Sequence, residues 1–474
     1  MSKSSNASLF ASPIVPIRRY AQRRQHLLAT LLKQGGGVAL MSTAPEMVRN
    51  RDADFPYRHD SYFYYLTGFT EPHSVLVLVA LPKSSTRKKA ELLSILFCRP
   101  KNLEREIWDG FRHGPEGARE AFQFDQAFSI ELLEERLPVL LSGALTIFHA
   151  IGYDERFDAL VTKSLNTVRA QARAGARAPE RLDDIRALLD AMRLVKDADE
   201  IKVMRAAADI SAQAHARAMR FAAPGRHEFE IEAELLHEFR KRGSEFPAYT
   251  SIVATGANAC VLHYRAGNAQ MQDGDLCLID AGCELQGYAS DITRTFPVNG
   301  RFTTPQRELY ELVLQAQAAA QRATKPGALY NTPHEAAVKV LAQGMLDVGL
   351  CKGSLESVIQ KGDAREGGGG KGTSYFDFYM HRTGHWLGMD VHDAGEYKEA
   401  DGTWRKYAAG NMVTIEPGIY VRPGKGVPKA FWNIGIRIED DALLTASGCE
   451  LITAAAPKTV AGIETVMREG VMRK

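Results

Sequence analysis

The chain has 474 residues, 45% of them hydrophobic and 24% charged, and this length exceeds what one ordinary core holds, so two or three domains are expected. Its formal charge is only +2, from 59 basic and 57 acidic residues, which gives no ground for nucleic-acid or membrane-surface binding and directs attention to local sites. Six cysteines (Cys98, Cys260, Cys277, Cys283, Cys351, Cys449) without a C-x-x-C pair fit reduced thiols in a cytoplasm, and no run of about eighteen apolar residues predicts a membrane span.

In chain order, the first apolar stretch, residues 9–15, is short and broken by Pro13, so no signal peptide is read there. Residues 17–33 carry Leu27, Leu28, Leu31 and Leu32 at helical spacing and predict an amphipathic helix. Residues 37–41, 74–81 and 91–98 read as strands, so the first domain is expected to be α/β. An Ala- and Arg-rich stretch, 169–193, leads to a boundary near Lys196, dividing the chain into domains 1–195 and 196–474. Asp197-Ala-Asp-Glu200 has the form of a capping box, opening a helix that Pro224-Gly225 stops. The next helix shows Ile231, Leu235, Leu236 and Phe239 on one face and ends at Gly243. About a hundred residues later Thr304-Pro305 opens a helix that Pro326-Gly327 closes, and Thr332-Pro333-His334-Glu335 opens another running to Gly349. Each helix pair precedes strand-like sequence, so the second domain is expected to consist of two similar halves with a site between them. The glycine-rich residues 362–372 fail as a phosphate loop, because Lys371 is followed by Gly372 rather than Ser or Thr and no strand leads in.

The chemistry concentrates in the strand-like blocks. Residues 275–280 form an apolar strand ending in Asp280, and residues 288–296 return after a turn at Gly287, an arrangement that can set Asp280 beside Asp291. Buried carboxylates at close range repel unless a cation lies between them. The second half offers Glu416, in Met412-Val-Thr-Ile-Glu416-Pro-Gly418. It also offers Glu439, at the end of Ile434-Gly-Ile-Arg-Ile-Glu439, whose alternation puts Gly435, Arg437 and Glu439 on one face. Between these, His381, His385 and His392 fall within twelve residues although the whole chain has thirteen histidines. Four acids and an imidazole suit two divalent ions, Mn²⁺ foremost, ahead of Co²⁺, Fe²⁺ or Zn²⁺. Two such ions about 3.5 to 4 Å apart lower the pKa of a shared water and polarise a carbonyl, which is the equipment for amide hydrolysis.

Residues 280–297, His381 to Asp393, Ile415-Glu-Pro-Gly-Ile-Tyr420 and Gly435-Ile-Arg-Ile-Glu439 resemble the creatinase and methionine aminopeptidase superfamily, and within it the Xaa-Pro aminopeptidase family. Residues 57–72, from Tyr57 to Pro72, and Glu106-Ile-Trp-Asp-Gly110 extend the likeness to the first domain, so it covers nearly the whole chain. The resemblance implies an α+β protein: a pita-bread metallopeptidase domain with internal two-half duplication, preceded by a smaller α/β creatinase-like N-terminal domain that serves oligomerisation and site closure. It implies that Asp280 chelates one metal, that Asp291 and Glu439 bridge both, and that His385 and Glu416 hold the other. Glu416, His263, His381 and His392 are then the catalytic candidates, and Arg437, Tyr420 and Trp108 the substrate contacts, Trp108 reaching a neighbouring subunit. The implied reaction is hydrolysis of the N-terminal Xaa-Pro bond of peptides by a cytoplasmic homodimer or homotetramer with two divalent ions per chain. A prolidase restricted to Xaa-Pro dipeptides is the alternative within enzymes. A non-catalytic binding module of the same fold is disfavoured by the intact ligand set, and methionine aminopeptidase by the long segment before Lys196.

Overall fold

The structure, a computed structural model, describes residues 15–84, 87–265, 267–365 and 372–471. Most of the first apolar stretch and the centre of the glycine-rich loop, residues 366–371, lie outside the described residues. Two compact units emerge, one spanning Val15–Met192 and one running from Arg193 to the C-terminus.

In the first unit, one sheet orders six strands as Gln126–Ser129, Glu91–Cys98, Val75–Leu81, Gly37–Ser42, Thr146–Phe148 and Arg181–Asp183. Val75–Leu81 runs antiparallel to both neighbours, while the outer pairings are parallel. All seven residues of Val75–Leu81 are buried, which explains why Val-Leu-Val-Leu-Val-Ala-Leu is apolar without alternation: both faces are covered. The amphipathic helix Ile17–Lys33 buries Tyr20, Leu27, Leu28 and Leu31, each such side chain contributing roughly 1.5 to 3 kcal/mol. Tyr62-Phe63-Tyr64-Tyr65 lies in the short helix Ser61–Thr67, which Asp60 caps by accepting the Phe63 amide and Gly68 ends in the left-handed region. Its rings pack inward, Phe63, Tyr64 and Tyr65 all being buried.

The second unit repeats one motif. Helices Ala198–Phe221 and Glu228–Lys241 pack on each other, as do Thr304–Ala323 and Thr332–Asp347. The capping box read from the sequence forms: Asp197 accepts the amides of Asp199 and Glu200 while Glu200 accepts that of Asp197. The first pair leads to the antiparallel sheet Ile252–Thr255, Leu276–Asp280, Thr293–Pro297. The second leads to Met412–Ile415 paired with Asp440–Leu444, and Gly418–Val421 paired with Ile434–Arg437. This is the two-half α+β pita-bread architecture. Among the described residues no helix is long and apolar enough to cross a membrane. All six cysteines are free, and burial pushes the Cys98 and Cys283 thiols up to about 12.

Candidate metal centre

Strand register places the first two carboxylates. Asp280 lies opposite Thr293 on one side and Ile252 on the other, so Asp291 is not its direct partner across the ladder. After Asp280 the chain diverges into the small hairpin Cys283–Leu285 and Tyr288–Ala289, whose turn residues Gln286 and Gly287 have φ of 48° and 79°. The arms re-approach at Gly282, where a Cβ would lie 1.6 Å from the Ser290 carbonyl oxygen, so glycine is required for the hairpin to close. Asp280 and Asp291 then meet through the Tyr249 hydroxyl, 2.5 Å from Oδ1 of each.

The second half joins the first across Thr293. The strand ending at Arg437 stops where the Ile438 amide turns to the Pro417 carbonyl, and the Glu439 amide donates to Thr293 O at 3.0 Å. Thr293 Oγ1 donates to Glu439 Oε2 at 2.6 Å and accepts from Arg437 Nε at 3.1 Å. Arg437, on the face the alternation assigned it, donates to Asp280 Oδ2 at 2.5 Å and to the Tyr420 hydroxyl at 2.8 Å. His385 is oriented by its neighbour: Nδ1 stands 2.9 Å from the Trp386 carbonyl, which can only accept. That bond leaves Nε2 facing Asp291 Oδ2 at 3.4 Å and Glu416 Oε1 at 3.7 Å.

These groups carry an excess of negative charge. Burial drives Glu416 up to about 7, with Asp291 and Asp280 adding to the push against His385 and Arg437. Burial, then Asp291, Glu416 and Asp280, hold Glu439 well above the usual carboxylate range. Burial lowers the affinity of His385 for a proton, yet Asp291 and Glu416 outweigh it and raise the imidazole to about 9. Asp291, His385 and Glu439 each offer a ligand atom, and these atoms lie within 4.8 Å of one another. Four acids, Asp291 and Glu439 buried and Asp280 and Glu416 partly buried, are faced by one arginine, and with an imidazole aimed among them they fit divalent cations bound by oxygen and nitrogen donors.

The remaining predicted residues divide by exposure. His381 is half-buried, with Nε2 2.8 Å from the Tyr420 hydroxyl and Nδ1 3.7 Å from Glu416 Oε2. His392 is exposed, its ring centroid 4.3 Å from that of His385. His263 is exposed in the loop after Gly256–Cys260, a segment that approaches so closely that a Cβ on Gly435 would lie 2.2 Å from Ala259 O. Arg437 and Tyr420 are buried, and Trp108 stands 83% exposed on helix Leu103–Asp109 of the first unit. Sequence reasoning missed three residues that organise the site. Tyr249 lies three residues before the strand that pairs with Asp280, a signal visible once that register is known. Thr293 reads as an ordinary strand residue. Glu228, fully buried, accepts from the amides of Thr255 and Gly267, Asn258 Nδ2 and the Tyr264 hydroxyl, and so cages the loop that carries His263. His334 is buried against Thr383 Oγ1 at 2.8 Å, and burial brings it down to about 3.

Residues 202–446 match the profile of Metallopeptidase family M24, and residues 20–148 that of the Aminopeptidase P N-terminal domain. The chain is 39% identical over 450 residues to the Xaa-Pro aminopeptidase of Escherichia coli K12, covering 95% of this chain and 97% of that one. It is 40% identical to the Xaa-Pro aminopeptidase of Haemophilus influenzae, covering 96% and 98%. Aminopeptidase PepP of Pseudomonas aeruginosa superposes with a TM-score of 0.91 at 45% identity, covering 97% of this chain and all of that one.

Proposed function

The chain belongs to metallopeptidase family M24, in its aminopeptidase P branch, and on that premise we propose that it is a metal-dependent hydrolase that removes the first residue from peptides carrying proline second. The observation that carries this reading is the cluster of Asp291, His385 and Glu439 among carboxylates whose charge the protein itself leaves unbalanced. We assign two divalent ions per chain, Mn²⁺ foremost, to Asp280, Asp291, His385, Glu416 and Glu439. When bound, such ions polarise the scissile carbonyl and lower the pKa of the attacking water.

The chain's own residues do the rest. Glu416 takes the proton of the attacking water at a carboxylate oxygen and delivers it to the proline nitrogen as the C–N bond breaks. His392 and His263 donate hydrogen bonds to the oxygen on which negative charge develops and to the neighbouring amide. An Xaa-Pro bond has no N–H to donate and its ring fixes φ near about −65°, so recognition must come from shape. We assign that recognition to His263, His381 and Arg437, Tyr420 backing His381 through the 2.8 Å hydrogen bond. The free α-amine lies on the Asp280 side, which restricts cleavage to the first residue. We assign the N-terminal domain, residues 1–195, to assembly of a cytoplasmic homodimer or homotetramer, with the exposed Trp108 offered to a neighbouring copy.

The deciding experiment compares Xaa-Pro-Yaa-Zaa, its alanine analogue, its N-acetylated form and the dipeptide Xaa-Pro. Cleavage of the first alone, or of the first and the dipeptide, is expected. Cleavage of the dipeptide alone identifies a prolidase, and a metal-loaded protein that cuts none of them overturns the reading.

A further inference from the structure

Beside the metal centre, charged side chains are packed away from water on the loop that follows His385. Asp393 Oδ1 accepts from Arg193 Nη2 at 2.6 Å and Oδ2 from Lys196 Nζ at 2.8 Å, and all three side chains are 1% exposed. Arg193 also pairs with Asp390 at 2.8 Å, so two cations meet two acids. The Asp393 amide donates to Trp386 O at 3.0 Å, closing the loop from His385 to His392. The carboxylate fits against Gly388, where a Cβ would lie 2.2 Å from Oδ2. No hydrogen bond of His392 is found among the described residues, and its ring packs against that of His385 at 4.3 Å between centroids. Backbone placement therefore decides where this imidazole stands, and the residue next to it is the one clamped.

We propose that Asp393, gripped by Lys196 and Arg193, is a positioning residue that sets the His392 imidazole against the substrate. This rests on the reading that His392 serves the reaction. It gives the segment 193–196, at the start of the second unit, a part in catalysis although its ammonium and guanidinium meet Asp393 rather than substrate.

The test is a double-mutant cycle read as kcat and KM on an Xaa-Pro-Yaa peptide, with metal content and thermal midpoint measured alongside. Lys196→Met lowers kcat by about 10- to 100-fold with KM and bound metal unchanged, and Lys196→Arg restores most of the rate. Added to His392→Ala, Lys196→Met costs little more, because both act through one imidazole. If Lys196→Met unfolds the loop, Lys196→Met/Asp393→Asn removes one charge of each sign and carries the same expectation. Losses that multiply, or a Lys196→Met enzyme at the wild-type rate beside a slow His392→Ala, overturn the positioning while leaving the proposed function standing. A His392→Ala enzyme at the wild-type rate overturns the role of His392 and the inference together. Independently of activity, the ¹H–¹³C ring resonance of His392 in metal-free protein should move or broaden in Lys196→Met, and an unmoved resonance refutes the inference.

Discussion

Glu439 and Asp440 are neighbours in sequence, both carboxylates, both buried, and their surroundings are opposite. Glu439 shares a cluster with Asp280, Asp291 and Glu416, and burial and those three acids hold it well above its ordinary range. Burial also works against Asp440, yet Arg294 at 2.7 Å and Lys458 at 2.7 Å bring its carboxyl down to about 2. Arg294 is fully enclosed and donates besides to the carbonyls of Thr293, Glu439, Ala456 and Pro457. One acid is starved of positive charge and the other saturated with it. Burial of an acid alone therefore does not mark a metal site; uncompensated burial does.

The contrast is broken most severely at the starved end. Glu439→Gln should cost about 10³-fold or more in kcat and reduce bound metal, measured by peptide hydrolysis and elemental analysis. In metal-free protein the same substitution should hold or raise the thermal midpoint, because it removes one of four mutually repelling acids; a lower midpoint in metal-free protein breaks the comparison. At the saturated end, Arg294→Met should destabilise by about 3 kcal/mol in urea, since it leaves Asp440 and several carbonyls buried without their donor. The pH response follows in size. Asp440 has a folded pKa depressed from 3.8 to about 2, so its contribution, about 2 kcal/mol, is present above roughly pH 4 and is lost as pH falls through about 2. Asp440→Asn should lack that part of the acid limb in unfolding followed by circular dichroism. Smallest is Lys458→Met: the side chain is 23% exposed, water shares its charge, and about 1 kcal/mol is expected.

Much of this was legible in the residues themselves, for stateable reasons. Caps and helix stops are local chemistry, so Asp197 to Glu200 and Thr304-Pro305 announced their helices correctly. The alternation through Glu439 placed Arg437 on the side where it meets Asp280. The pairing of Asp280 and Asp291 was anticipated as side-by-side contact on a hairpin, whereas the register puts Thr293 opposite Asp280 and a tyrosine hydroxyl between the two acids. Tyr249, Glu228 and the Lys196–Asp393 pair were not legible, because their partners lie up to 197 residues away and nothing in a local window distinguishes them. Asp440 illustrates the same limit: read alone, it is indistinguishable from Glu439, the proposed ligand beside it.

The hydrogen bond from Thr293 to Glu439 spans 146 residues of chain, and that from Arg294 to the Pro457 carbonyl spans 163. On a ribosome, Asp280 and Asp291 therefore emerge long before the residues that complete and brace their site. Until the last strands arrive, the nascent chain carries two repelling aspartates with no Arg437 to meet Asp280 and no Glu439 to close the cluster. Contacts of such high order also slow folding, because a long loop must be ordered before any of them rewards it. A chain released before Arg437 and Glu439 would therefore present only part of the candidate cation site.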